Sequence, residues 1–149
     1  MGKIISAFLG MGKSCYSALN PDIACDSDSS EFHWAVKGKE RNPDFPNNYI
    51  KHIKKQLDKY KYVFVSSHLK VREALVENGL YYHLVFPASS RKREFLTNYR
   101  NRGNDDSFIE LLDKNYYTWV NSCFYFDGHS CFLEMEHGFI EDAIKQWDL

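Results

Sequence analysis

The chain has 149 residues with 19 Lys and Arg against 20 Asp and Glu, a formal charge of −1 at pH 7. That length predicts a single domain, 1–149, and the near-neutral balance excludes the broad basic field on which non-specific nucleic-acid binding depends. Hydrophobic residues at 44% and aromatics at 16% exclude a disordered chain, and no segment approaches the ~20 apolar residues of a membrane span, so no membrane partner is expected.

Short apolar runs alternate with longer periodic stretches, the pattern of a βαβ chain whose parallel strands are buried on both faces. Five strands are predicted at Lys3 to Leu9, Asp22 to Cys25, Tyr60 to Ser66, Tyr82 to Phe86 and Ser130 to Met135. Helices are expected from Gly12, from about Asn48 to Lys59, from Leu69 to Asn78, one or two across Ser90 to Asn121, and from Gly138 to Trp147. Asn78-Gly79 reads as a helix stop. The segment Asn42-Pro43-Asp44-Phe45-Pro46-Asn47-Asn48 reads as a structured loop feeding the next helix, and Arg102-Gly103-Asn104-Asp105-Asp106 as a second breaker.

The apolar start, Ile4 to Leu9, is too short for an export signal, and the myristoylation pattern at Gly2 loses its force if the first strand is buried. Cys15, Cys25, Cys123 and Cys131 form no CxxC pair, and the six histidines stand singly without metal spacing. Reduced thiols and a cytoplasmic location are expected.

The most informative stretch is Ala7-Phe8-Leu9-Gly10-Met11-Gly12-Lys13-Ser14, between an apolar strand and a helix. It matches the phosphate-binding P-loop except that Ala7 stands at the first glycine position. Gly10 and Gly12 let the backbone curl so that amides of Leu9 to Cys15 point inward, and the helix N-terminus adds positive potential. In that motif Lys13 reaches the β and γ phosphates and the Ser14 hydroxyl ligates Mg²⁺, so ATP and Mg²⁺ are the expected cofactors.

Asp26-Ser27-Asp28 follows the second apolar run, beside that loop in a doubly wound sheet. One intervening residue in an extended segment points both carboxylates the same way. The bland alternative is a turn that caps a helix through Ser29 or Ser30. The third strand, Val63 to Ser67, lacks the acidic end of a standard Walker B, which moves metal duty onto Ser14 and the acidic pair and argues against motor-type ATPases.

The loop with D-x-D resembles small P-loop kinases: shikimate, gluconate and nucleoside monophosphate kinases, and, at the second Asp, phage polynucleotide kinase. The resemblance implies a three-layer α/β kinase fold with a parallel five-stranded sheet in the order 2-3-1-4-5. It makes Asp26 the metal-side carboxylate and has Asp28 orient or deprotonate the acceptor hydroxyl. An acceptor region is expected at about 29–50, where Trp34, Arg41 and Tyr49 stand among Phe32, His33 and Phe45. Aromatic faces there suit a base and Arg41 a phosphate, unless the rings are a small subcore. A lid is expected at about 88–106. Arg102, beside Gly103, is its preferred residue, with Arg100, Arg93 and Arg91 behind it; a solvated charged face is the alternative.

Nearly end to end, the chain is also similar to short nucleotide-kinase-like proteins of bacteriophages. The shared pieces are Gly10 to Ser14, Asp26 to Ser30, Arg41 to Tyr49, Val65 to His68 and Arg102 to Asn104. The expected activity is Mg·ATP-dependent phosphoryl transfer to a small acceptor, a nucleoside monophosphate first. A polynucleotide 5′-hydroxyl end, another small molecule, or a non-catalytic nucleotide-binding role are the rivals. The expected state is a monomer or homodimer, in the host cytoplasm if phage-encoded.

Overall fold

The structure, a computed structural model, describes residues 1–27, 32, 34–36, 40–125 and 131–149. Five strands form one parallel sheet: β1 (Lys3–Ala7), β2 (Ala24–Asp26), β5 (Tyr62–Ser66), β6 (Tyr82–Pro87) and β7 (Cys131–Met135). A separate antiparallel ribbon joins β3 (Trp34–Val36) to β4 (Glu40–Arg41). Six α-helices are described: α1 (Lys13–Leu19), α2 (Asn47–Leu57), α3 (Leu69–Glu77), α4 (Lys92–Asn101), α5 (Asp106–Tyr125) and α6 (Ile140–Trp147).

In running numbers the sheet order is β2-β5-β1-β6-β7, which differs from the expected 2-3-1-4-5. The difference is the ribbon: its two strands fall between β2 and β5 in the chain without entering the sheet, in the stretch expected to be the acceptor region. The resulting domain is a three-layer α/β fold.

Strand parity decides which helices cover which face. Ile5, Phe64 and His83 share one face by register, and Tyr16 of α1 packs edge-on to Phe64 while Trp147 of α6 lies against His83. Phe86 points to the other face, where Phe124 of α5 meets it. The strands are therefore buried twice over: Ile5, Val63, Phe64, Val65, Leu84 and Val85 are all fully buried, as the continuous apolar runs require.

The punctuation residues place the elements. Asp105 accepts the Phe108 amide at 2.9 Å and starts α5 after the break at Gly103, so the stretch read as one or two helices is two. Lys92 pairs with Asp113 at 2.7 Å and ties α4 to α5. The C-terminus is held as well, because Tyr62 donates its hydroxyl to the Leu149 carbonyl at 2.6 Å.

Candidate functional site

Parallel strands with helices on both faces leave a crevice at their carboxyl ends, and chemistry collects there. A cleft of about 620 Å³ opens at that edge, lined by Ala7 at the end of β1, Asp26 and Ser27 at β2, Ser66 to His68 at β5, and Leu9, Gly10 and Gly12 to Cys15 of the turn. Gly10 and Gly12 have φ of 82° and 96°, conformations that a side chain resists, and a Cβ on Gly10 would stand 3.0 Å from the Phe95 ring. The glycines therefore let the turn be tight and let α4 approach it closely.

Lys13 folds back along the turn and donates to the Ala7 carbonyl at 2.8 Å. Ser14 donates to Asp26 Oδ2 at 2.7 Å, joining α1 to the end of β2. Oδ1 of the same carboxylate is buried and has no hydrogen-bond partner among the described residues. A buried carboxylate oxygen without a donor is costly and calls for a cation or a proton. Asp26 itself is locked into place: the Ser27 amide donates to the Phe64 carbonyl, the Ser27 hydroxyl meets His52 Nε2 at 3.2 Å, and the Tyr49 hydroxyl donates to the Ser27 carbonyl.

Two further clefts adjoin the first. One, of about 770 Å³, runs between the Arg41–Phe45 segment, the start of α3, and Thr118, Trp119 and Ser122 of α5; it shares Leu9, Ser67 and His68 with the first cleft. The other, of about 330 Å³, lies between Cys15, Tyr16 and Leu19 of α1, Asn98 and Arg102, and the Phe139 to Asp142 segment. It shares Gly10, Gly12, Cys15 and Arg102 with the first.

Leu9, Gly10, Gly12, Lys13, Ser14, Cys15, Asp26 and Arg102 are thus brought together as the sequence predicts. Arg41 lines the second cleft. Arg102 lies over the Tyr99 ring at 4.9 Å, and burial raises the Tyr99 phenol above its ordinary value against the opposing pull of that guanidinium.

Other expectations are corrected. Met11 is fully buried and its amide donates to the Phe8 carbonyl, so this residue closes the turn instead of facing the cleft. Tyr49 is fully buried, with Phe32 and Phe45 beside its ring; it belongs to an aromatic subcore and not to an acceptor surface. Arg91 is 5% exposed and donates to Glu94 and to the Met135 and Gly138 carbonyls, fixing the loop before α6. That hydrogen bond holds the Glu94 carboxyl below its usual range. Arg93 and Arg100 are exposed on α4 and line none of the three clefts. The expected lid is a helix seated in the core by Phe95, Leu96 and Tyr99; of its arginines Arg102, at the helix end, reaches the first cleft, beside Tyr99. Asp28 and the Trp34 side chain lie outside the described residues.

Ser66, Ser67, His68 and Trp119, which line the clefts, and Arg72, which braces them, are not among the residues the sequence singles out for the site. The first three carry a signal, since Ser66 ends a buried parallel strand and Ser67 and His68 follow it, at the ligand-binding edge. Arg72 is fully buried; its Nε donates to the Ser67 carbonyl at 2.8 Å and its Nη2 to the Ser122 hydroxyl at 2.8 Å. It clamps the β5 end to α5, a contact across 50 residues that no local pattern foretells.

No family model matches the sequence, and no curated protein does. Among solved structures the chain is similar to the crystal structure of an uncharacterized protein from Eubacterium ventriosum ATCC 27560, at 15% identity and a TM-score of 0.51, over 99% of this chain and 97% of that one. At that identity the likeness shows an α/β fold and nothing of activity. Among the described residues no helix is long and apolar enough to cross a membrane.

Proposed function

We propose that this protein is a P-loop phosphotransferase that moves the γ-phosphoryl group of Mg·ATP to a small anionic acceptor, a nucleoside monophosphate in the first instance. The observation that carries the reading is the turn itself: two left-handed glycines, Gly10 and Gly12, set Lys13 and Ser14 at the head of α1, opposite Asp26.

The residues fit a magnesium ion bound with nucleotide. Among the described residues no group of three or more His, Cys, Asp or Glu stands ready to cage a metal, but Mg²⁺ takes few protein ligands when phosphates supply the rest. Ser14 Oγ and Asp26 Oδ1, which has no hydrogen-bond partner among the described residues, are atoms that suit it. When bound, the ion neutralises charge on the β and γ phosphates.

The chain's own groups supply the other tasks. The main-chain amides of the turn and the α1 N-terminus hold phosphate oxygens. Lys13 exchanges the Ala7 carbonyl for the γ-phosphate, and Arg102 meets the same group from the end of α4. The 330 Å³ cleft, with Tyr16 and Phe139 as apolar walls and Asn98 as a polar one, suits the nucleotide base. The 770 Å³ cleft suits the acceptor: Arg41 and Lys70 bring positive charge, Phe45 and Trp119 bring flat faces, and no Asp or Glu among the described residues lines it. That charge balance favours a phosphate-bearing acceptor over a neutral one.

The test is transfer of labelled γ-phosphate from Mg·ATP to nucleoside monophosphates, nucleosides and oligonucleotide 5′ ends, side by side. Labelled nucleoside diphosphate supports the reading. Label on an oligonucleotide end, or tight ATP binding with transfer to nothing, replaces it with the polynucleotide-kinase or the non-catalytic alternative.

A further inference from the structure

Phosphoryl transfer between two anions has a difficulty at the meeting point, where an acceptor oxygen must approach a phosphoryl group already carrying negative charge. Lys13 lies on the donor side, on the Ala7 carbonyl, and Arg41 on the acceptor side. Among the described residues three line both clefts: Leu9, Ser67 and His68. Leu9 is apolar, and of the other two only the His68 imidazole is able to take on positive charge.

The backbone under that ring is fixed from several sides. The His68 amide donates to Ser66 Oγ at 3.1 Å, the Ser66 carbonyl accepts from Ser6 Oγ at 2.9 Å, and the Ser67 carbonyl accepts from the buried Arg72. The imidazole itself stands edge-on to Trp119, with ring centroids 6.2 Å apart and an interplanar angle of 88°. Donors held in advance at a developing charge are worth more than donors that must be recruited.

Resting on the phosphotransferase reading above, we propose that His68 is a catalytic residue: a ring N–H donates to the phosphoryl oxygens as the group passes from the first cleft to an anionic acceptor in the second. An acceptor oxygen forms the new bond to the γ phosphorus with its own electron pair. The bond from that phosphorus to the β–γ bridging oxygen breaks, and its pair leaves on the diphosphate. An ionised phosphate acceptor has no proton to surrender, so His68 is a donor here and not a base.

The experiment uses ADP, which occupies the donor side alone, and two probes that span both clefts, the dinucleoside pentaphosphates Ap5A and Ap5dT. Calorimetry is run on the wild-type chain, His68→Ala and His68→Gln, with thermal melting to confirm that each variant folds. The wild type binds at least one spanning probe more tightly than ADP. His68→Ala leaves ADP affinity unchanged and weakens that probe about tenfold, the scale of one hydrogen bond to a charged group. His68→Gln, which keeps an N–H donor, recovers much of the loss. Equal affinity of the spanning probe for wild type and His68→Ala overturns the proposal, as does a wild type that binds neither probe more tightly than ADP. Failure of ADP itself to bind removes the phosphotransferase reading, and this inference with it.

Discussion

Ser14 of α1 and Asp26 of β2 stand twelve residues apart in sequence and meet at 2.7 Å, leaving one oxygen of the carboxylate buried without a donor among the described residues. The pair closes the gap between the α1 N-terminus and the β2 end, and Asp26 is the one carboxylate among the described residues that line the first cleft.

Asp26→Asn keeps an acceptor for Ser14 and removes the charge. The expected result is a loss of about tenfold in affinity for Mg·ATP, ~1.4 kcal/mol, with affinity for ATP in EDTA unchanged or improved. Calorimetry in the two buffers measures both. An equal loss in each would assign Asp26 to the fold and not to the metal.

Arg102 is the only arginine of its segment that reaches the cleft, whereas Arg93 and Arg100 are exposed beside it. Arg102→Ala is expected to lower the turnover number about a hundredfold, the scale seen when one donor to a developing anion is removed, and Arg93→Ala and Arg100→Ala to stay near wild type. Steady-state transfer assays on the three variants distinguish a positioned cation from a generally charged face.

Cys15 is exposed on the wall between the first and third clefts, while Cys123 is fully buried and burial pushes its thiol up to about 11. Maleimide is therefore expected to label Cys15 quickly and Cys123 only on unfolding. Mg·ADP should slow Cys15 labelling by covering it. Peptide mass mapping with and without nucleotide reads the result, and labelling at an unchanged rate would place the nucleotide elsewhere.

His83 lies on β6 with its Nδ1 buried and unpartnered among the described residues, against Trp147. Burial first, and then the charge of Lys3, hold its imidazole below the ordinary 6.5. A native pKa below the unfolded one means that the unfolded chain binds more protons as pH falls. This contribution to stability is complete above about 6.5 and is lost as pH drops through that value toward the lower native one. Urea unfolding of wild type and His83→Gln between pH 5 and 7.5 checks the sign: the variant should show a shallower fall at the acid end.

The elements that the sequence disclosed are those set by local chemistry. The apolar runs of β1, β5 and β6 are buried on both faces, and the glycine turn leads into α1 as its spacing requires. The readings that changed depend on distant packing. Tyr49 looked available among aromatics and a proline-rich loop, but its hydroxyl bonds to the Ser27 carbonyl and its ring fills the space beside Phe32. Arg91 looked like the head of a charged run, but the carbonyls of Met135 and Gly138 claim it. Trp119 and Arg72 acquire their places only when α5 crosses the sheet, so their neighbours in sequence carry no trace of them.

The account rests on a nucleotide triphosphate seated on the Gly10 to Ser14 turn. Calorimetric titration of the full chain with Mg·ATP measures this directly. Saturable one-to-one binding is predicted for the wild type, with at least a tenfold loss in Lys13→Ala, whose melting temperature should match the wild type. A folded wild-type chain that gives no binding heat with ATP or any other nucleoside triphosphate in magnesium, at more than one temperature, would contradict it.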